Sequence, residues 1–456
     1  MGRDYGVLGG GVLGLTAALR LLERGHQVTV YERERLPGGL AAGFQVAAPT
    51  VTDEATDQAA GQDSAATGAV WLEKFYHHLF QSDTAAIHLI EELGLGNRLE
   101  WHRPRTDTLW QGIAYPLDSP LTLLRFRPLP LLARLRTAAA LAYLRIALRT
   151  PNRLEGQTAA PWIRRVMGES SYQVVWGPLL KSKFGAVADE IALPWFWGRI
   201  HDRTTVLGYV RGGFQLFYNR LAARIRARGG TILLDTRIER VETAPDGGFQ
   251  VHHAPTGTPD GAPSQARHHE RVISTLPTRL TCRLVPQLPG DYRARYDWGR
   301  AYGAHCVILA LDRPLTQTYW LNINDPGYPF MALVEHTNYM PLADYGGQHL
   351  IYLGNYRAMD DPLFQQSKSE VLDAFLPHLT RINPAFDPSW VTRSWVFAAP
   401  FAQPIVTTDY RAHIPPFDTP LPGFSVANMF QVYPHDRGQN YSIDLAERLV
   451  SHLEGE

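Results

Sequence analysis

Three glycines, Gly9, Gly11 and Gly14, stand in the stretch GGGVLG, directly after the short apolar run DYGVLG. A helical pattern follows at once, with Leu15, Ala18, Leu19 and Leu22 on one face. Glycine at the first position permits a tight turn, at the second it lets a phosphate approach the backbone, and at the third it lets helix and strand close together. A helix that begins there offers the N–H groups of Val12, Leu13 and Gly14 and the positive end of its dipole to a pyrophosphate. Glu32 ends a second apolar run, QVTVY, where an acid would accept hydrogen bonds from ribose hydroxyls and disfavour a 2′-phosphate. Strand, glycines, helix and acid together predict a bound dinucleotide.

Other residues suit proton transfer or charge binding. His77 and His78 have the side chain that titrates near neutrality and serves as a general acid or base, or they are ordinary helix residues, one buried and one exposed. Lys181 and Lys183, half of the chain's four lysines, lie in WGPLLKSKFG among aromatics. They would hold an anionic substrate group or sit on a solvated turn. Arg211, before Gly212 and Gly213, would approach cofactor or substrate, or be a plain surface arginine. Trp176, Trp195, Trp197, Tyr352 and Trp395 read as core. No His, Cys or carboxylate set has metal-ligand spacing, so no metal is expected.

Beyond Glu32 the stretch YERERLPGGLA brings Arg33, Gly38, Gly39 and Leu40, and it resembles the FAD-binding fingerprint of the amine oxidase, phytoene desaturase and protoporphyrinogen oxidase superfamily. The resemblance continues in YVRGGFQLFYNRLAARIRARGGTILLDTRIERVE, where Ile238 would bring its backbone to the adenine, and in FSVANMFQVYPHDRGQNYSIDLAERLV, which is similar to the segment that closes the flavin site. It implies cofactor contacts from Asn428, Arg437, Gly438, Asn440 and Tyr441, with Asn440 or Ser442 capping the last helix. Two departures stand out. Relatives often have Gly-Asp where this chain has Ala427 and Asn428, and amine oxidases commonly carry a lysine near the flavin on a strand that here reads GRAYGAHCVILAL, with His305 as the nearest polar residue. A fainter resemblance, around Lys181 and Lys183, is to UDP-galactopyranose mutases, in which reduced flavin acts without net redox.

The implied fold class is α/β: a discontinuous Rossmann-like FAD-binding domain (1–75, 207–285 and 400–456) plus an α+β substrate domain (76–206 and 286–399) with a mixed sheet and a helical region. Residues 45–70 read as an exposed, flexible insertion, and the chain from Trp71 to about Val206 as mostly helical. The implied activity is oxidoreduction with a small-molecule substrate. With no second Gly-x-Gly-x-x-Gly after a strand, oxygen or a quinone is the expected electron acceptor rather than NAD(P)H.

Composition sets limits on partners and place. The 456 residues carry 44 basic and 44 acidic side chains, which removes the electrostatic case for nucleic acid. Cys282 and Cys306 show neither redox nor metal spacing, which suggests a reducing, cytoplasmic setting without a disulfide. MGRDYGVLGG lacks the pattern of a secretory leader, and its residues are expected to form a strand already. Residues 121–148 are apolar but interrupted by Arg125, Arg127, Arg134, Arg136 and Arg145. That rules out a span of ~18 uncharged residues. The stretch is expected to be a buried helix pair, or a lipophilic surface that meets a membrane peripherally or shapes a tunnel for an apolar substrate.

Overall fold

The computed structural model describes residues 2–46, 70–259 and 263–456. The glycine turn sits at the carboxyl end of the central strand of a five-stranded parallel sheet in the order Thr231–Leu233, Gln27–Tyr31, Asp4–Leu8, Arg271–Ser274, Phe424–Val426. Its strands come from four separated parts of the chain, and every neighbour is parallel, so both faces must be covered. Strand parity does this: Val28 and Val30 turn to one core, Tyr31 to another. The helices Val12–Glu23, Phe214–Ala227 and Gln439–Glu454 pack on the first face. The antiparallel ribbon Thr236–Thr243, Phe249–Pro255, Gln265–His269 and the helix Thr278–Leu284 cover the second.

A seven-stranded mixed sheet forms the other large body, in the order Val391–Pro404, Ala301–Leu311, His349–Arg357, Ala332–Glu335, Trp320–Ile323, Thr106–Trp110, Ile113–Pro116. Only Trp320–Ile323 and Thr106–Trp110 run parallel. In Ala301–Leu311 the side chains of Cys306, Ile308 and Ala310 join the core of the parallel sheet's helices, whereas Val307, Leu309 and Leu311 meet Val371 and Phe375 on the far side.

Three expectations need correction. Residues 70–116 are not mostly helical: they hold five strands and the helix Thr84–Glu92, and the helical region begins at Pro120. The aromatic stretch after Val70 favours strand because Gln45 and Val46 pair with Trp71 and Val70 in a hairpin. The predicted insertion therefore loses residues 45, 46 and 70 to that hairpin, and its remainder, 47–69, lies outside the described residues. The apolar stretch 121–148 is not a wholly buried helix pair either. It forms the helices Pro120–Arg125 and Leu131–Ala142 and a π turn Tyr143–Ala147, with Leu132 and Ile146 exposed at 68% and 76%. No helix among the described residues is long and apolar enough to cross a membrane.

Candidate active site

The three glycines do different work. Gly9 has φ +107° and its N–H donates to the Tyr31 carbonyl at 2.9 Å, which ties the turn to the second strand. At Gly14 a Cβ would lie 2.0 Å from the Gly9 carbonyl oxygen, so the close approach of helix and strand demands glycine. Gly11 is under neither constraint: φ is −70° and a Cβ would come no nearer than 4.0 Å to any protein atom, the Gly39 Cα. The helix that follows has no side-chain cap and no acid in its first turn, so the N–H ends of Val12, Leu13 and Gly14 keep their field. Glu32 braces the turn from behind, with Oε2 accepting from Gly10 N–H at 2.7 Å and Oε1 from Glu34 N–H at 2.8 Å. Burial raises its pKa. Gly38 donates to the Gly10 carbonyl at 2.9 Å and leads into the turn Gly39–Ala41, so Gly38 and Gly39 lie against Gly11 and Leu40 follows within that turn. Ile238 lies on the ribbon that Thr236 N–H ties to the Glu32 carbonyl at 2.8 Å. Arg33 points outward and pairs with Glu34.

The closing segment differs in detail from expectation. The last helix, Gln439–Glu454, is capped by Gly438 without a side-chain hydrogen bond, not by Asn440 or Ser442. Asn440 Oδ1 instead accepts from Ala86 N–H at 3.1 Å, which fastens this helix to Thr84–Glu92. Gly438 is extended, and a Cβ there would meet only Tyr441, at 3.5 Å. Gln439 accepts from Tyr218 Oη–H at 2.5 Å, and its Nε2, though buried, has no partner. Tyr218 in turn packs on Gly38, which brings the helix start beside the glycine turn. Asn428 is committed to its own turn: Oδ1 accepts from Phe430 N–H at 3.1 Å, and Nδ2 donates to the Leu276 carbonyl at 3.0 Å and Thr278 Oγ1 at 3.1 Å. Tyr441 stacks on His435 with 4.5 Å between centroids.

The proton-transfer candidates separate. His77 and His78 are not on a helix but in the loop 74–78 between the strands Val70–Glu73 and Leu79–Phe80. His77 Nδ1 lies 2.6 Å from the Phe75 carbonyl, which only accepts, so Nδ1 carries the proton and Nε2 presents its lone pair. Burial lowers the pKa of His77 to about 4 and of His78, 3.2 Å from Tyr319 Oη, to about 3. Between them and the mixed sheet Tyr76 lies on Gly354, where a Cβ would be 2.4 Å from its ring. His305 faces the far side of the mixed sheet, against Phe364 and Phe375, so strand parity gives the inner face to Cys306. Arg211 is exposed and forked onto Asp344 at 2.8 and 2.7 Å, away from the glycine turn. Lys181 is exposed, whereas Lys183, two residues on in the helix Gly177–Phe184, is buried.

Lys183 leads to a cluster that the sequence did not show. Its Nζ lies 3.0 Å from Asp436 Oδ2, which also accepts from Arg199 at 3.1 Å; Oδ1 takes Trp195 Nε1–H at 3.3 Å and Arg437 N–H at 3.2 Å. The Arg437 guanidinium donates to Tyr356 Oη and lies over its ring, and its buried Nε has no partner. These cations hold the Asp436 carboxyl far below the usual carboxylate range despite its burial, and burial pushes Lys183 well down. No group of three or more metal-ligating side chains occurs among the described residues, and both cysteines are free and buried.

A family model described as flavin containing amine oxidoreductase matches residues 14–435. The chain belongs to that family. It is an FAD-dependent oxidoreductase. No curated protein matches it in sequence. Among solved structures it is similar to an oxidoreductase from Methanosarcina mazei (17% identity, TM-score 0.70, 99% of this chain and 100% of that one). It is also similar to a cyclohexylamine oxidase from Brevibacterium oxydans IH-35A (15%, 0.67, 100% of both chains). A third is a reduced UDP-galactopyranose mutase (15%, 0.73, 99% and 96%). At these identities the likeness is one of fold.

The residues present fit FAD, the cofactor of this family. Gly11 and Gly438 are glycines that neither their dihedral angles nor their protein neighbours require, as expected where a non-protein group comes close. The buried Nε2 of Gln439, the residue after Gly438, lacks an acceptor, and the two helices that start beside these glycines, Val12–Glu23 and Gln439–Glu454, pack against each other with both N-termini free of side-chain caps.

Proposed function

We propose that the chain oxidises a small molecule by removing hydride from a carbon–nitrogen or carbon–carbon bond, as an oxidase, dehydrogenase or desaturase, and passes the electrons to oxygen or a quinone. FAD supplies the two-electron acceptor when bound. The residues that would hold it are Gly9, Gly11, Val12, Leu13 and Gly14 at the pyrophosphate, Glu32 at the ribose, Gly38, Gly39 and Leu40 over the turn, Ile238 at the adenine, and Arg437, Gly438, Gln439 and Tyr441 at the closing helix. Residues 1–75, 207–285 and 400–456 would form the binding unit. The observation that carries this reading is the pair of glycines, Gly11 and Gly438, whose dihedral angles any residue could adopt and whose missing side chains leave open space at two uncapped helix N-termini. His77, neutral and with a free Nε2, would accept a hydrogen bond from the substrate, and Tyr76, Tyr356 and Trp195 would exclude water. Mixing the holoprotein with substrate without oxygen tests the redox step. Bleaching reversed by oxygen or quinone supports it; turnover only after prior reduction, with no acceptor consumed, would support the mutase-like alternative, which the cations around Asp436 favour because sugar nucleotides are anionic.

The surface 121–148 would meet a bilayer peripherally. Leu121, Leu131, Leu132 and Ile146 are more than half exposed, and residues 119–154 hold seven arginines and no acid. Apolar side chains ringed by arginine suit the headgroup region of anionic lipid. The protein should cosediment with vesicles containing phosphatidylglycerol, less so in high salt or as Ile146→Glu. Equal recovery with pure phosphatidylcholine would remove the electrostatic part, and no recovery at all the whole.

A further inference from the structure

Two cations bond one carboxylate in the Asp436 cluster, and the charge of a third acts on it from nearby. Lys183 and Arg199 both bond Asp436 Oδ2, and Arg437 adjoins it through its own N–H. A fourth, Arg203, feels Asp436 and, more weakly, the outer carboxylate Asp202, itself engaged by His435 at 2.6 Å and His201 at 3.0 Å. The acid bonded to Lys183 is Asp436, at 3.0 Å. Partial access remains, since the side chains of Asp436 and Arg199 are 19% and 17% exposed. The walls are aromatic: Lys183 lies 5.2 Å from the Trp195 ring and 5.5 Å from that of Tyr356. Like charges held together away from bulk water repel unless a counter-charge joins them. Arg437, with its unpartnered Nε, directly precedes Gly438 at the start of the closing helix, so this excess charge borders the place assigned to FAD.

We propose that Lys183, Arg199 and Arg437 bind an oxyanion of the substrate, a carboxylate or a phosphate, and that the site discriminates against protonated amines. The inference rests on the oxidoreductase reading only for the word substrate; the anion site itself is independent of it. A planar guanidinium and a buried ammonium beside aromatic rings can donate to either oxyanion, whereas an alkylammonium ion would add a further positive charge.

The test uses the holoprotein and three probes with one ring in common: benzoate, phenyl phosphate and benzylamine, titrated at neutral pH while the flavin spectrum is followed. Benzoate or phenyl phosphate should perturb the spectrum saturably, and benzylamine at least tenfold more weakly. Arg199→Gln and Lys183→Met should each weaken the anion at least tenfold while FAD content stays at the wild-type level, which shows that the variant is folded. Saturable binding of benzylamine as tight as that of the anions, or anion affinity unchanged in both variants, would overturn the proposal. If benzoate alone binds the group is a carboxylate, and if phenyl phosphate alone, a phosphate. Should the protein hold no FAD, the redox reading fails by itself, and the same ligands' effects on the melting temperature still decide the anion site.

Discussion

Replacing Gly11 by alanine separates the needs of the protein from those of its cofactor. The backbone there, φ −70° and ψ 172°, is one that alanine adopts freely, and the new Cβ would be 4.0 Å from its nearest protein neighbour, an ordinary contact. The only protein cost is a poorer N-cap, about 0.5–1 kcal/mol at most. In a chain of this size that moves the melting temperature by no more than about 3 °C. The methyl would, however, fill space that a pyrophosphate must enter, and forcing an extra methyl into a close contact costs about 1–3 kcal/mol, or a roughly 5- to 150-fold weaker dissociation constant. Gly14→Ala is the control, since its Cβ would lie 2.0 Å from a backbone oxygen and must damage the fold itself. Apoprotein prepared from wild type and both variants, melted without cofactor and titrated with FAD by calorimetry, gives both numbers. Gly11→Ala should melt like wild type and bind FAD weakly, whereas Gly14→Ala should melt early. Wild-type FAD affinity in Gly11→Ala would refute the passage of a pyrophosphate over Gly11.

Glu32→Gln keeps the shape of the brace but can accept from only one of the Gly10 and Glu34 N–H groups with its single oxygen; FAD occupancy after purification should fall, and full occupancy would count against the ribose contact. Asp436→Asn leaves Lys183 and Arg199 without their anion, so the urea midpoint should drop by an amount equivalent to about 3–5 kcal/mol, and an unchanged midpoint would mean the cluster is solvated rather than paired. Burial holds His336, bonded to Tyr345 Oη at 2.7 Å, neutral down to about pH 3, while in the unfolded chain it protonates near its ordinary value of 6.5. Its contribution is therefore complete above pH 6.5 and is lost as pH falls below it, because the unfolded chain then binds the extra proton. His336→Gln should reduce the pH slope of stability between pH 6 and 4 by up to one proton, about 1.4 kcal/mol per pH unit; an unaltered slope would show that the histidine titrates alike in both states.

What the sequence made legible was local. The turn of Gly9, Gly11 and Gly14, its flanking strands and the helix Val12–Glu23 lie within 28 consecutive residues, and the spacing alone carries their geometry. The strand Ala301–Leu311 was equally readable as a strand, but which face His305 takes depends on its pairing with His349–Arg357 and Val391–Pro404. A shift of one residue would have exchanged it with Cys306. Asp436 was not legible as the centre of a charge cluster, because its partners Lys183, Trp195 and Arg199 are 253, 241 and 237 residues away. Arg211 drew interest from the glycines beside it, yet its partner Asp344 is 133 residues distant. The helical expectation for 71–116 failed for the same reason, as aromatic runs become strands only when a partner strand such as Gly43–Val46 is present.

What the purified protein carries decides most directly whether the glycine turn and the closing helix hold FAD. Its visible spectrum, the mass of the compound released on denaturation and the equivalents per chain should give bound FAD at one per chain, in a protein whose last helix and glycine turn are intact. A folded, colourless chain that takes up no FAD on reconstitution would contradict it.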